Sequence, residues 1–479
     1  MYLQKLVTVM AAMDKPSLKR LEEYIHSPYF RIQPSVVKLF DYFAEQYPRF
    51  TDKKINPEAI SEYTNAKENR QMIIATRLIK VIYDFIALEQ WQKEEKNLFL
   101  PLLQGLKGLE LYDIASAEHK RALEQVNEDI DQDVDLFYLR HVLTTDATTS
   151  FDSLLQRNFK NDITAATETL EQFYALKFLR LACEGLNRKS LVGTQYYTES
   201  IAKSIEILTP LTTPKYPYVW VYMNVYKLLT AETFEEGRKA YFRIEWMVKR
   251  NGQNPLQQYL LDGVQYSINW SLQWYSKGYT EAAQYYLWWI DYKIKHNLIL
   301  VQNQIQPIAF RNPIALAVEG FRSPEWVLQF IETFAQKLPH GSRGVNEIFA
   351  KALLHYYKKE HESAARLFQQ IYAKGEPIFN VIIRRWQFMN LYESNKETTP
   401  LLKKTLDSFE KYLQRNEAQL PMRPIFAKFI RYAGQIVSPE EEQNAESTKS
   451  KLMKEPFFPG KNWLDSQLHR KLFASPKCA

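Results

Sequence analysis

Apolar residues in this chain recur at helical intervals. From Ile74 the row Ile74, Leu78, Val81, Phe85, Leu88 advances by steps of four and three, and a second row, Ala75, Ile79, Ile82, Ile86, runs beside it. Such steps keep side chains on one face of a 3.6-residue turn, and two adjacent rows predict a helix buried over a broad face. The period-two alternation of a half-buried strand is not found along the sequence. Helix starts are marked by a small polar residue before proline, at Asn56-Pro57, Thr213-Pro214, Asn254-Pro255, Asn312-Pro313, Ser323-Pro324, Thr399-Pro400 and Ser438-Pro439. The first residue of each pair suits an N-cap, and the proline is pre-set for the first helical position. Glu325 and Glu441 fall in the first turns that follow, where the helix dipole favours them. Thr233 with Glu236 forms a capping box.

An internal repeat overlies this pattern. Residues 274–289 read WYSKGYTEAAQYYLWW and residues 356–371 read YYKKEHESAARLFQQI. Without gaps they pair Trp274 with Tyr356, Tyr275 with Tyr357, Lys277 with Lys359, Ala282 with Ala364, Ala283 with Ala365 and Tyr286 with Phe368. A weaker copy surrounds Phe234, with Gly237 at the small position and Tyr241 at the aromatic one. A small residue lets the second helix of a hairpin approach the first, and an aromatic one turn later fills the space beside it. Over residues 220–375 this pattern resembles tetratricopeptide repeats and their irregular relatives. That resemblance implies a stack of antiparallel helical hairpins with an extended binding surface.

A second resemblance covers residues 5–95. The segments LKRLEEYIHSPYF, KLFDYFAEQYPRF and VIYDFIALEQW are similar to the opening of an uncharacterised family of helical proteins from Bacteroidetes. It implies a bacterial, helical N-terminal region and no particular activity. Within it, Pro28 ends a helix at His26-Ser27, with Tyr29 and Phe30 placed to plug the turn and His26 to interact with the helix dipole.

Composition agrees with helices. Only 14 of 479 residues are glycine, about half the usual ~7%, whereas phosphate loops and β-turns depend on glycine. The net charge of +7 is unevenly spread. Residues 1–240 hold 30 Lys/Arg against 33 Asp/Glu, and residues 241–479 hold 32 against 22. Cys183, in the apolar row Leu176, Leu179, Cys183, Leu186, reads as a small core residue, and with Cys478 as the only other cysteine no disulfide framework is expected, as in a reducing cytoplasm. No stretch approaches the ~18 apolar residues of a membrane span.

Motifs of catalysis are missing from the sequence: no phosphate-binding G-x-x-x-x-G-K-[ST], no G-x-G-x-x-G after a strand, no G-x-S-x-G. No two of the eight histidines stand three or four apart, so no helix presents a zinc-binding pair. Glu23-x-x-His26 has di-iron spacing without its required second copy. The acidic run Glu128, Asp129, Asp131, Asp133, Asp135 fails as a calcium loop, because Val134 and Arg140 stand where glycine and glutamate belong. Asp133 or Asp135 is expected instead to open the helix VDLFYLRHVL.

These readings describe an all-α protein, an α-solenoid of antiparallel hairpins of irregular tetratricopeptide type. Its expected regions are an N-terminal helical part (1–105), a hairpin-repeat part (106–437), and a polar linker with an amphipathic helix (438–479). The expected role is non-enzymatic, without a cofactor: cytoplasmic binding or scaffolding of another protein. The alternative is nucleic-acid binding by the basic half. Tyr275, Tyr357, Lys358, Lys359, Arg384 and Arg385 are the candidate contacts, aromatic faces for stacking and cations for phosphate or acidic groups.

Overall fold

The structure is a computed structural model and describes residues 2–50, 55, 57–64, 68–129, 133–149, 163–192, 204–205, 208, 216–251, 257–394, 399–420, 423–438, 445–456 and 458–474. Asn56, Asp131, Thr213-Pro214, Asn254-Pro255, Pro439, Glu441 and Cys478 lie outside the described residues. Every regular element among the described residues is helical; the sole β-type contact there is an isolated bridge between Val301 and Gln304. The chain forms two compact units, Met1–Asp129 with Tyr138–Thr169, and Ile130–Phe137 with Leu170–Ala479.

The first unit contains α1 (Tyr2–Ala11), α2 (Lys15–His26), α3 (Pro34–Glu45), α4 (Pro57–Thr64), α5 (Glu68–Trp91), α6 (Lys96–Gly108), α7 (Tyr112–Glu128) and most of α8 (Val134–Thr149). Of the double row on α5, Ile74, Ala75, Leu78, Ile79, Ile82 and Phe85 are buried and Val81 half-buried, against Leu6 and Met10 of α1, Leu21 and Ile25 of α2, and Leu39, Phe40 and Phe43 of α3. Of its last two members, Ile86 is exposed and Leu88 half-buried. Helices α6 and α7 pack together, and Lys107 of α6 meets Asp146 of α8 at 2.8 Å. Pro28 does end α2 at His26, but the turn beyond it is not plugged as expected. Tyr29 is 84% exposed, and Phe30, itself 39% exposed, lies against the Tyr24 ring 4.1 Å away. His26 contacts the Asp41 carboxylate at 2.9 Å. Residue 105, the expected end of the N-terminal region, falls inside α6.

The second unit holds the remaining helices. They are α9 (Ile163–Val192, from Leu170), α10 (Pro217–Thr230), α11 (Phe234–Arg250), α12 (Gln258–Tyr275), α13 (Glu281–Lys295), α14 (Pro307–Leu316), α15 (Pro324–Phe334), α16 (His340–Tyr357), α17 (His361–Gln369), α18 (Pro377–Glu393), α19 (Thr399–Arg415), α20 (Arg423–Val437), α21 (Ala445–Lys454) and α22 (Lys461–Ala474). The opening turn of α8, with Asp133 Oδ1 accepting the Leu136 N–H at 2.8 Å, also belongs here. Helices α10 and α11, α12 and α13, and α16 and α17 pair as hairpins. Helix α10 also packs on α12, and α14 on α16.

The three small residues of the repeat all lie in second helices and are buried. The capping box of Thr233 and Glu236 starts α11 and sends Phe234, Gly237, Tyr241, Ile244 and Val248 inward. A Cβ on Gly237 would stand 2.5 Å from Trp270 Nε1, so α11 meets α12 across a gap that only glycine leaves open. Ala282 and Ala364 are fully buried, and the aromatics one turn later, Tyr241, Tyr286 and Phe368, are at most 2% exposed. Ser323 caps α15 through the Trp326 N–H at 3.4 Å. Asn312-Pro313, by contrast, does not start a helix. Pro313 lies inside α14, whose first turn is set by Pro307. A local proline signal cannot distinguish a first turn from the interior of a short helix held by its neighbours.

The C-terminal region also departs from expectation. Where composition predicts a polar linker, residues 445–454 form α21, with Ala445, Thr448 and Leu452 buried. Those positions make a narrow i, i+3, i+7 stripe of one large and two small residues, too slight to raise the average hydrophobicity. Helix α22 packs on α20 and α21, burying Leu464 and Leu468. Trp463 lies against Tyr392, Phe388 and Phe429. Trp463 Nε1 and Gln467 Nε2 donate to Glu393 Oε1 at 2.6 and 3.1 Å, and the Tyr356 hydroxyl donates to the same oxygen at 3.0 Å.

Two expectations follow from this packing. Ala282→Leu and Ala364→Leu should each cost about 1–3 kcal/mol by overpacking, read as a lower denaturant midpoint. Unchanged midpoints in both would refute close helix approach at the repeat positions. Leu464→Ala should cost about 2–5 kcal/mol, since its side chain is wholly enclosed. A loss under about 0.5 kcal/mol, the usual range of surface substitutions, would mean that α22 is not docked in solution.

Candidate functional site

Helix α18 is enclosed on most sides. Phe379, Val381, Ile383, Trp386, Phe388 and Met389 are buried, and so are the polar residues Asn380, Arg385 and Asn390. Both asparagines are satisfied. Asn380 accepts the Ala373 N–H at 3.0 Å and donates to its carbonyl at 2.7 Å. Asn390 donates to the His361 carbonyl at 2.9 Å, and its Oδ1 stands 3.0 Å from the His361 ring. Arg385 differs. Its side chain is 7% exposed, Nε has no hydrogen-bond partner among the described residues, and the closest carboxylate is Glu319, 3.8 Å from Nη2. Among the described residues the Arg343 Nε also lacks a hydrogen bond, but both terminal nitrogens of Arg343 donate, to Gln336 Oε1 and the Leu338 carbonyl. Burial draws the Arg385 pKa down, against the opposing charge of Glu319. A charge held in this way is costly unless it is paired and hydrogen-bonded.

Arg385 lines an open cleft of about 630 Å³. The walls come from the end of α12 (Leu272, Tyr275), from α14 (Arg311, Ala315), from Phe349 of α16 and from the first half of α18 (Phe379, Ile382). Phe426 and Gly460 close it from the C-terminal side. Most of this surface is apolar, and its charged groups are largely matched. Arg311 Nη1 meets Glu376 Oε2 at 2.8 Å while its guanidinium lies 3.9 Å from the centre of the Phe379 ring. The Tyr275 hydroxyl donates to Glu319 Oε2. Burial and the Glu319 charge push that hydroxyl's pKa up, so it stays a donor. Glu319 is aimed there by a wide turn, Ala317–Phe321, in which Gly320 takes a φ of 102°. Gly460 has a φ of 94°, and a Cβ on it would stand 2.7 Å from the Phe429 ring. At the mouth, Ile308 and Ile378 are 56% and 43% exposed. A second cavity of about 300 Å³ shares Tyr275, Glu319 and Gly460 and reaches Glu393 and Trp463.

Of the six residues singled out from the sequence, Tyr275 and Arg385 line this same cleft. The others are placed elsewhere. The Tyr357 hydroxyl donates to the Arg322 carbonyl at 2.8 Å. Lys358 and Lys359 form the turn after α16, where Lys359 takes a φ of 61°, much as Gly278 (φ 102°) closes α12. Arg384 lies over the Tyr412 ring at 4.5 Å and faces a separate groove of about 310 Å³ with Lys404 and Ser408. The sequence reading missed Arg311, Glu319, Glu376 and Gly460. One signal for the special place of Arg385 was available: with Val381 and Phe388 it occupies an i, i+4, i+7 row that is otherwise apolar.

Among the described residues, no group of three or more His, Cys, Asp or Glu is arranged to hold a metal ion, and no helix is long and apolar enough to cross a membrane. Burial pushes the Cys183 thiol well above its usual pKa, away from the reactive thiolate. A scan against protein-family models and searches of curated proteins and of solved structures found nothing that matches this chain.

Proposed function

We propose that this chain is a non-enzymatic binding protein, an α-solenoid of irregular tetratricopeptide-like hairpins whose cleft-bearing face engages another protein. The observation that carries this reading is the cleft mouth, where Ile308 and Ile378 stay exposed beside an apolar hollow. Exposed aliphatic groups around a concavity gain most when a partner removes them from water. Support for the solenoid comes from the equivalent burial of Gly237, Ala282 and Ala364 and from the packing of α10 on α12 and of α14 on α16. A non-catalytic role is supported by the pairing of charged groups in the cleft: Arg311 with Glu376, Tyr275 with Glu319. None of these is a base oriented toward a nucleophile. The inert thiol of Cys183 suits a reducing, cytoplasmic setting. Nucleic-acid binding draws less support, because Lys358 and Lys359, Arg384, and Arg385 sit at three separate places rather than along one phosphate-tracking stripe.

Affinity purification from source cells, with nuclease treatment in parallel, tests this. We expect a protein to co-purify whether or not nuclease is added, and to be lost from the Ile308→Asp/Ile378→Asp double variant. Both sites are exposed, so folding stability should change by no more than about 0.5 kcal/mol per site. Capture that depends on nucleic acid, or that survives in the double variant, would count against the proposed face.

A further inference from the structure

The mouth of the cleft and its interior differ in chemistry. The mouth offers exposed aliphatic groups, whereas the interior ends on a buried cation that makes no hydrogen bond among the described residues. We infer that the interior is a small-ligand site, and that Arg385 receives the carboxylate of an organic acid whose apolar body fills the hollow. This goes beyond the protein-binding reading and concerns a different occupant, seated below the surface a partner would cover.

Three observations carry the assignment. First, a guanidinium presents five N–H donors in a planar fork. The other buried polar side chains of α18, Asn380 and Asn390, are bonded to their neighbours, so the vacancy at Arg385 is local to the cleft. Second, Glu319 compensates the charge without satisfying the donors. Its Oε1 stays 3.8 Å from Nη2, beyond hydrogen-bond range, and its Oε2 accepts from Tyr275. A carboxylate can supply two oxygens to the fork at once, the geometry in which an arginine–anion pair is strongest. Third, the hollow has the size and surface of a small-molecule site. About 630 Å³ lies within the usual range of ligand pockets, and the walls are Leu272, Ala315, Phe349, Phe379, Ile382 and Phe426. A headgroup alone would leave those walls wet, so the ligand must carry an apolar body. The same arrangement limits the affinity: Glu319 shares the guanidinium with the incoming acid, and like charges compete for it.

Titration calorimetry on the full chain tests this with octanoate, using acetate, octan-1-ol and octylammonium as matched probes. We expect octanoate to bind more tightly than any of the three, because only it combines the acid with the apolar body. Arg385→Gln should weaken octanoate by about tenfold or more, the worth of a charged hydrogen-bonded pair, and leave octan-1-ol unchanged. Should that variant not fold, Glu319→Gln decides. It removes the competing charge but keeps an acceptor for Tyr275, and octanoate should then bind several-fold more tightly. Equal affinity for octanoate and octan-1-ol, or no gain in Glu319→Gln, overturns the assignment. Failure here, with a protein partner still captured in a manner that needs Ile308 and Ile378, would leave the binding-protein reading standing alone.

Discussion

Neighbouring helices lie close where one of them presents almost no side chain, and the second unit depends on that constraint. At Gly237 the backbone of α11 sits so near the Trp270 indole that even a methyl group has no room. Trp270 in turn stacks on Phe234, at the start of the same helix, with ring centres 5.4 Å apart. The small residue and the large aromatics are therefore one device: the first admits the neighbouring helix, and the second fill the volume that its approach leaves at the edges. Ala282 with Tyr286, and Ala364 with Phe368, likewise set a buried small residue one turn before a buried aromatic in later hairpins. This explains how a chain so rich in Trp, Tyr and Phe buries them while the helices still pair closely.

Helix α18 inherits its position from this packing and pays for none of its polarity except at Arg385. Its asparagines fasten it to the carbonyls of Ala373 and His361, at the two ends of the α17 segment. At its C-terminal end Glu393 gathers donors from Tyr356, Trp463 and Gln467, tying α16 and α22 to one carboxylate. The cleft lies between these fastenings. Gly460, just before α22, closes the cleft at a position where a side chain would strike Phe429. The docking of the C-terminal helix and the shape of the cleft are thus mechanically joined, and a change that loosens α22 alters the wall beside Arg385.

The all-helical class, the Thr233–Glu236 capping box, the inward face of α5 and the small–aromatic rhythm of the hairpins were all legible in the sequence. Each rests on residues within one or two turns of one another, where 3.6-residue geometry and capping chemistry act without help from the rest of the chain. Tertiary structure decided the rest. It placed Pro313 inside a helix, left Tyr29 in water and folded residues 445–454 into a docked helix, because neighbours far along the chain outweighed local signals. It also separated Arg384 from Arg385, adjacent in sequence, into two different cavities, since consecutive residues point about 100° apart around a helix. The cleft draws its walls from Leu272 to Gly460. No local pattern encodes a meeting of residues so widely spaced; only the packing of whole helices brings a guanidinium with an unbonded Nε to face an apolar hollow.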